Sequence, residues 1–251
     1  MAIRRRSVHT EQEDEGFFVS MTDMMVGMLF LFILMLMFFA LKFNEATVQI
    51  NKTNEILKSA EETRTEILHD LQRSLKDQGI TVEIDVENGI LRLPENILFE
   101  RNRSDLTGRG REAILVLARS LGAVLPCFAS IPGETRPNSC PDTPHSVEAI
   151  FVEGHTDSDG DDALNWNLSV QRGLNTYHAM IDGTPTISRF CNTKNQAILS
   201  VSGYGKQRPV RPNDSIENKR QNRRIDLRFI MTTPKGKSVE DIEKKVTEQA
   251  K

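Results

Sequence analysis

Two groups of residues in this chain have the types and spacing to do chemistry. The first is Asp23, the lone charge in the run Phe17–Leu41, FFVSMTDMMVGMLFLFILMLMFFAL. At about 1.5 Å per helical residue the run is longer than the roughly 30 Å hydrocarbon core of a bilayer, and it reads as one spanning helix. A carboxylate inside such a span is costly unless it faces protein or water, which makes it a candidate ion or proton site. This chain supplies no evident partner for it. The alternative is a cap at the membrane surface, because a span beginning at Met24 would still be about 27 Å long. Ser20, Asp23, Gly27 and Leu31 fall on one helical face, a polar stripe closed by a glycine of the kind that packs helices.

The second group is Gly154-His155-Thr156-Asp157-Ser158-Asp159-Gly160, followed by Asn165, Leu168, Ser169 and Arg172. Asp157 falls at the end of an expected strand, and Arg172 sits in the next helix where it can face it. One acid beside one fork-shaped donor suits a zwitterionic amino-acid group, the acid taking the ammonium and the arginine the carboxylate. A plain strand-to-helix salt bridge is the competing reading. His155 reads as a structural histidine. Asp157, Asp159, Asp161 and Asp162 resemble an acidic calcium loop in spacing, yet the distal bidentate Glu is missing. With no CxxC spacing and no nucleophile–base pair, neither a resident metal nor an enzyme is expected. Cys127, Cys140 and Cys191 are disulfide candidates whose three possible pairings the sequence leaves open.

The elements that position these residues follow from hydrophobic period and turn chemistry. From Phe43 to Gln78 the chain is polar without Gly or Pro. Phe43, Ala46, Ile50, Leu57, Ala60, Ile67, Leu71 and Leu75 recur along it at helical spacing, interrupted at Thr53 and Arg64. So narrow a seam predicts a coiled-coil-like helical linker and a homodimer, against the alternative of a helix packed on its own domain. Strands are expected at Thr81–Val86 and Ile90–Leu93, around the turn Glu87-Asn88-Gly89. Further strands are expected at Val147–Val152, Ala197–Val201 and Arg224–Met231, and helices at Asp105–Leu125 and Ala163–Ile181. Interleaved strands and helices predict a single sheet covered by helices, an α+β arrangement. Cys127–Ser146, with four prolines, reads as a loop insertion.

Composition sets outer limits. The chain has 251 residues, 38% of them hydrophobic, and a net charge of −3; with pI near 6.0 there is no reason to expect nucleic acid. Lys206, Arg208, Arg211, Lys219, Arg220, Arg223 and Arg224 nevertheless cluster, which points to an anionic polymer or to a structural face. Arg4, Arg5 and Arg6 before the span place the amino terminus in the cytoplasm and everything after Leu41 outside it. The expected organisation is a cytoplasmic segment 1–16, a transmembrane helix 17–41, a helical linker 42–79, a folded domain 80–232 and a charged tail 233–251.

Four motifs in order carry a family resemblance: GHTDSDG with NWNLSVQRG, then GYGKQRPVRPN, then NKRQNRRIDL, with LPENILFERNRSDL ahead of them. Together they resemble the OmpA-like peptidoglycan-binding domain over about Ile80–Met231. The resemblance implies an α/β sandwich in which Asp157 and Arg172 grip the diaminopimelate group of the peptidoglycan stem peptide. Asn165, Arg224 and Thr156 would line the same pocket. Departures are Gly173 where the family usually has Ala, and the longer cysteine-bearing insertion. The amino-terminal span makes the whole layout resemble MotB-like stator subunits, in which an aspartate matching Asp23 carries a proton or sodium ion through a channel shared with a multi-span MotA-like partner. Met21 and Thr22 replace the aromatic and Ala usual before that Asp. Within that group the layout is similar to the ZorB-type subunits of Zorya antiphage systems. The resemblance thus implies an inner-membrane homodimer, H+ or Na+ as the translocated ion and no other cofactor.

Overall fold

The computed structural model describes residues 11–232, with side chains from residue 21 onward. Arg4, Arg5 and Arg6 and the expected charged tail lie outside the described residues. The chain divides into two compact units, one ending at Glu55 and one beginning at Ile56.

The first unit is the greater part of one helix, α1 (Glu11–Asp77), which continues into the second. No proline interrupts this stretch, so nothing removes a backbone donor or forces a kink, and the expected span and linker form one continuous helix. Among the described residues it is the one helix long and apolar enough to cross a membrane, with a window of mean hydropathy 2.8 and none of that window buried. Asp23 is exposed in this unit, as are the apolar residues from Met24 to Phe39.

The expected coiled-coil seam divides in two. Phe43, Val48, Ile50 and Leu57 are exposed, whereas Ala60, Ile67, Leu68, Leu71 and Leu75 are buried in the core of the second unit. The lower half of the seam is thus unavailable to a partner helix. Its spacing of three and four serves a packed domain face as well as a coiled coil, which is why the period alone could not separate the two. Ser74 and Ser120 hydroxyls, 2.7 Å apart, tie this end of α1 to a second long helix.

That second unit is one five-stranded sheet in the order β1-β2-β5-β3-β4. The strands are β1 (Glu83–Asp85), β2 (Ile90–Pro94), β3 (Val147–His155), β4 (Leu199–Gly203) and β5 (Arg224–Met231). Only β3 and β4 run parallel; the other pairings are antiparallel. The helices are α2 (Glu95–Leu98), α3 (Gly108–Val124), α4 (Asp162–Gly183) and α5 (Ile216–Asn222).

Alternation along the strands sorts the two faces. Leu91, Leu93, Ile150, Val152, Ile225, Leu227 and Phe229 are fully buried and join the same core as α1, α3 and α4 residues. Residues of opposite parity, Arg92, Glu153, His155, Arg224, Asp226 and Arg228, occupy the other face and hold one another in ion pairs. Glu153 lies directly across from Asp226 on paired strands, a placement tolerable only because guanidinium groups flank both acids.

The insertion Cys127–Ser146 is closed by a disulfide between Cys127 and Cys140, leaving Cys191 as the free cysteine. Its far end meets α1 through His145 Nε2 and Ser59 Oγ, 2.8 Å apart.

Candidate functional site

The loop after β3 is shaped by its own short polar side chains. Gly154 has no room for a side chain, since a Cβ there would lie 1.9 Å from the Ser169 carbonyl oxygen. This brings β3 and α4 into backbone contact. Asp157 Oδ1 accepts from the Asp159 amide at 2.9 Å, Gly160 turns the chain at φ +82, and Asp161 caps α4 by accepting from Leu164 N at 2.7 Å. Asn165 Nδ2 donates to the Asp159 carbonyl at 2.9 Å, locking the loop to the first turn of α4. Ser169 Oγ accepts from Gly205 N, and the Thr156 amide donates to the Gly205 carbonyl, so the loop after β4 closes the side.

Within this frame Asp157 and Arg172 are 5% and 1% exposed, but each is ion-paired to another residue, Asp157 to Arg223 and Arg172 to Glu95. Asp157 Oδ2 accepts from Arg223 Nη1 at 2.6 Å. Arg223 Nε donates to Glu95 Oε2, and the other oxygen of Glu95 is in ion-pair contact with Arg172 Nη2, off hydrogen-bond geometry. The four side chains form an alternating row, Asp157, Arg223, Glu95, Arg172. Neither the direct salt bridge nor an open acid–arginine pair describes it. Arg172 also donates from Nε to the Arg103 carbonyl at 2.8 Å and stacks over Phe99 at 5.1 Å. Two groups in the row's surroundings, Arg172 Nη1 and Thr156 Oγ1, are buried with no hydrogen-bond partner among the described residues.

Burial lowers the Arg172 pKa from its ordinary value despite the opposing pull of Glu95. Burial also works against the charge of Arg223, yet its bonds to Asp157 and Glu95 outweigh that and raise it. At the mouth, Lys219 bonds to Asp159 at 2.6 Å and holds that carboxyl below its usual range. Arg101, Asp159, Asp214, Ser215, Ile216, Lys219 and Arg223 line a depression of about 260 Å3 there.

Thr156 and Asn165 are therefore in the loop and first helical turn that follow β3 with Asp157, while Arg224 is elsewhere. Strand alternation sends it to the charged face of the sheet. There it is buried, bonds Asp226 Oδ2 at 2.9 Å and the carbonyls of Asn222 and Arg208, and lines a separate cleft of about 680 Å3. Arg223 takes the place expected of Arg224. Neighbouring arginines on a strand must face opposite ways, so Asn-Arg-Arg announces one residue for each side without saying which. Glu95 carried no sequence signal, because it meets Arg223 across a separation of 128 positions.

The four aspartates of the loop do not converge. Asp157 and Asp159 hold cations, Asp161 is a helix cap and Asp162 pairs with Lys206 at 2.7 Å. The described residues with metal-ligand proximity are Glu153, His155 and Asp226, all buried. Arg92, Arg224 and Arg228 already neutralise both of these acids. His155 stacks on Tyr204 at 5.2 Å; burial lowers its pKa, and neither ring nitrogen has a hydrogen-bond partner among the described residues. The basic cluster is largely spent internally: Lys206, Lys219, Arg220, Arg223 and Arg224 are all in ion pairs and Arg208 stacks on Tyr204.

Residues 142–223, which carry Asp157, Arg172 and Arg223, match the OmpA family. An apolar amino-terminal helix precedes that stretch. It is 22% identical to the Zorya protein ZorB of Escherichia coli O139:H28 over 90% of this chain and 83% of that one. The "Probable lipoprotein YiaD" of Escherichia coli K12 is 27% identical over 62% of this chain, which spans 58% of its length. Motility protein B of Bacillus subtilis is 29% identical over 35% of this chain and 31% of its own. Among solved structures, the periplasmic domain of Helicobacter pylori MotB aligns at TM-score 0.43 and 22% identity, covering 67% of this chain and 98% of that one.

Proposed function

We propose that this chain is the wall-anchoring subunit of an ion-driven stator complex in the bacterial inner membrane. Two copies would form the channel with a multi-span MotA-like partner, the amino terminus lying in the cytoplasm and the sheet domain in the periplasm. The observation that carries the reading is the buried Asp157–Arg172 site in the same chain as an apolar helix bearing Asp23. Similarity to ZorB along most of the chain favours an antiphage role over a flagellar one.

In this mechanism Asp157 holds the ammonium and Arg172 the carboxylate of diaminopimelate in the stem peptide, with Asn165 keeping the loop in place. Protonation of Asp23, or sodium bound there, removes its charge and changes its helix's contacts with the partner, and release resets it. The wall provides the fixed point against which that cycle does work. Arg172→Ala is expected to abolish most sedimentation with purified peptidoglycan, and Asp23→Asn to abolish ion-driven activity while the complex still assembles. Full activity of Asp23→Asn would leave a passive inner-membrane-to-wall tether, the second reading, which the exposed position of Asp23 near the start of the apolar run also accommodates. Wild-type sedimentation of Arg172→Ala would remove the wall-binding assignment.

A further inference from the structure

The site described above contains its own substitute for the ligand. A zwitterionic group would place a carboxylate on Arg172 and an ammonium on Asp157. Glu95 now supplies the carboxylate on Arg172, and Arg223 supplies the cation on Asp157. We infer that Glu95 and Arg223 act as an internal competitor, a paired shutter that a carbon bearing both an ammonium and a carboxylate must displace. This inference rests on the wall-binding reading.

Three observations carry it. Glu95 and Arg223 are already bonded to each other, so they can leave together without stranding a charge. Their backbones are held by a bond from Glu95 N to the Arg223 carbonyl at 3.1 Å, so the displacement is one of side chains, with Glu95 itself 4% exposed. The two groups they would vacate are buried, Arg172 at 1% and Asp157 at 5% exposure, whereas Arg223 already borders the open depression beside Lys219 and Asp159. Buried charges without partners are costly, so an unliganded site benefits from a stand-in. The exchange is neutral throughout: one acid and one base leave, and one of each arrives. A ligand with only the ammonium, such as a lysine side chain, would have to expel the pair while leaving Arg172 unpaired. The shutter therefore sharpens discrimination against it.

The test compares full-length protein in detergent micelles binding a muropeptide ending in diaminopimelate with its lysine counterpart. Glu95→Gln removes the competing charge and is expected to tighten diaminopimelate binding by about 3- to 10-fold, since apparent affinity scales with the competent fraction. It should also narrow the preference over lysine. Unchanged or weaker binding in a folded Glu95→Gln protein, with Arg172→Ala still losing binding, overturns the shutter and leaves Glu95 as a positioning residue. If Arg172→Ala binds like wild type, the wall-binding reading fails first and the shutter with it. Hydrogen exchange at Arg223 Nη1, whose bond to Asp157 the ligand would break, gives an independent readout in the wild-type protein. It should quicken on adding the diaminopimelate muropeptide, and unchanged or slower exchange counts against displacement.

Discussion

At the scale of single residues, the charged face of the sheet shows how buried acids are made tolerable and how that fails with pH. Burial opposes the charge of Glu153, but His155 at 3.9 Å and the two-pronged bond from Arg228 at 3.0 and 2.9 Å lower its pKa to about 2. The Arg228 fork is the stronger hold, since 3.9 Å is beyond hydrogen-bond reach. A folded-state pKa below the ordinary 4.5 means that ionised Glu153 stabilises the domain above about pH 4.5. That contribution is lost as pH falls toward 2. Solvent screening keeps its size below about 3 kcal/mol. Glu153→Gln is therefore expected to lower stability at pH 7 and to converge with wild type near pH 2, measured by urea denaturation at both values. A constant gap would assign the loss to packing. Such residues were half-visible beforehand. The GHTD motif and Arg172 are legible because local spacing places them near one strand end. Glu95 and Arg223 are not, because only the fold brings positions so far apart into one row.

At the scale of elements, Gly154 decides how closely α4 approaches the sheet and therefore where Arg172 stands. The atom that a Cβ would strike is the Ser169 backbone carbonyl oxygen, which cannot rotate away. Gly154→Ala is expected to cost about 3 kcal/mol, the upper part of the usual range for overpacking, and to weaken peptidoglycan binding with it. Gly108→Ala is a fitting control, because nothing lies within 4 Å of the added carbon and it should shift stability by less than about 1 kcal/mol. Comparable losses in both variants, read as denaturation midpoints, would refute the close-approach argument. The five strands and the two long helices α3 and α4 were readable from period and turn residues, including the Asn88-Gly89 hairpin, whereas the short helices α2 and α5 were not. What period could not supply was partner identity. The seam of α1 satisfied the demands of a coiled coil and of a domain face alike, and the three cysteines admitted every pairing until the insertion brought Cys127 and Cys140 together.

At the scale of the whole molecule, the split seam localises any pairing of two copies. From Ala60 on, the apolar seam of α1 is covered by its own domain, so pairing through the linker part of this helix is left to exposed residues before it, among them Phe43, Ile50 and Leu57, one heptad apart. Identical positions meet across the axis of a parallel two-stranded coil, so Ile50 of one copy should face Ile50 of the other. Lys52 is about 200° away around the helix and should face outward. In a Cys191→Ser background, which removes the free thiol, Ile50→Cys is expected to give a disulfide-linked dimer on mild oxidation of membranes, and Lys52→Cys far less. Similar yields at both positions would mean random collision, and no dimer at either would confine pairing to the span or dismiss it. Pairing here would set two copies of Asp23 into one assembly at fixed spacing. That arrangement is what an alternating ion carrier requires and a solitary tether does not.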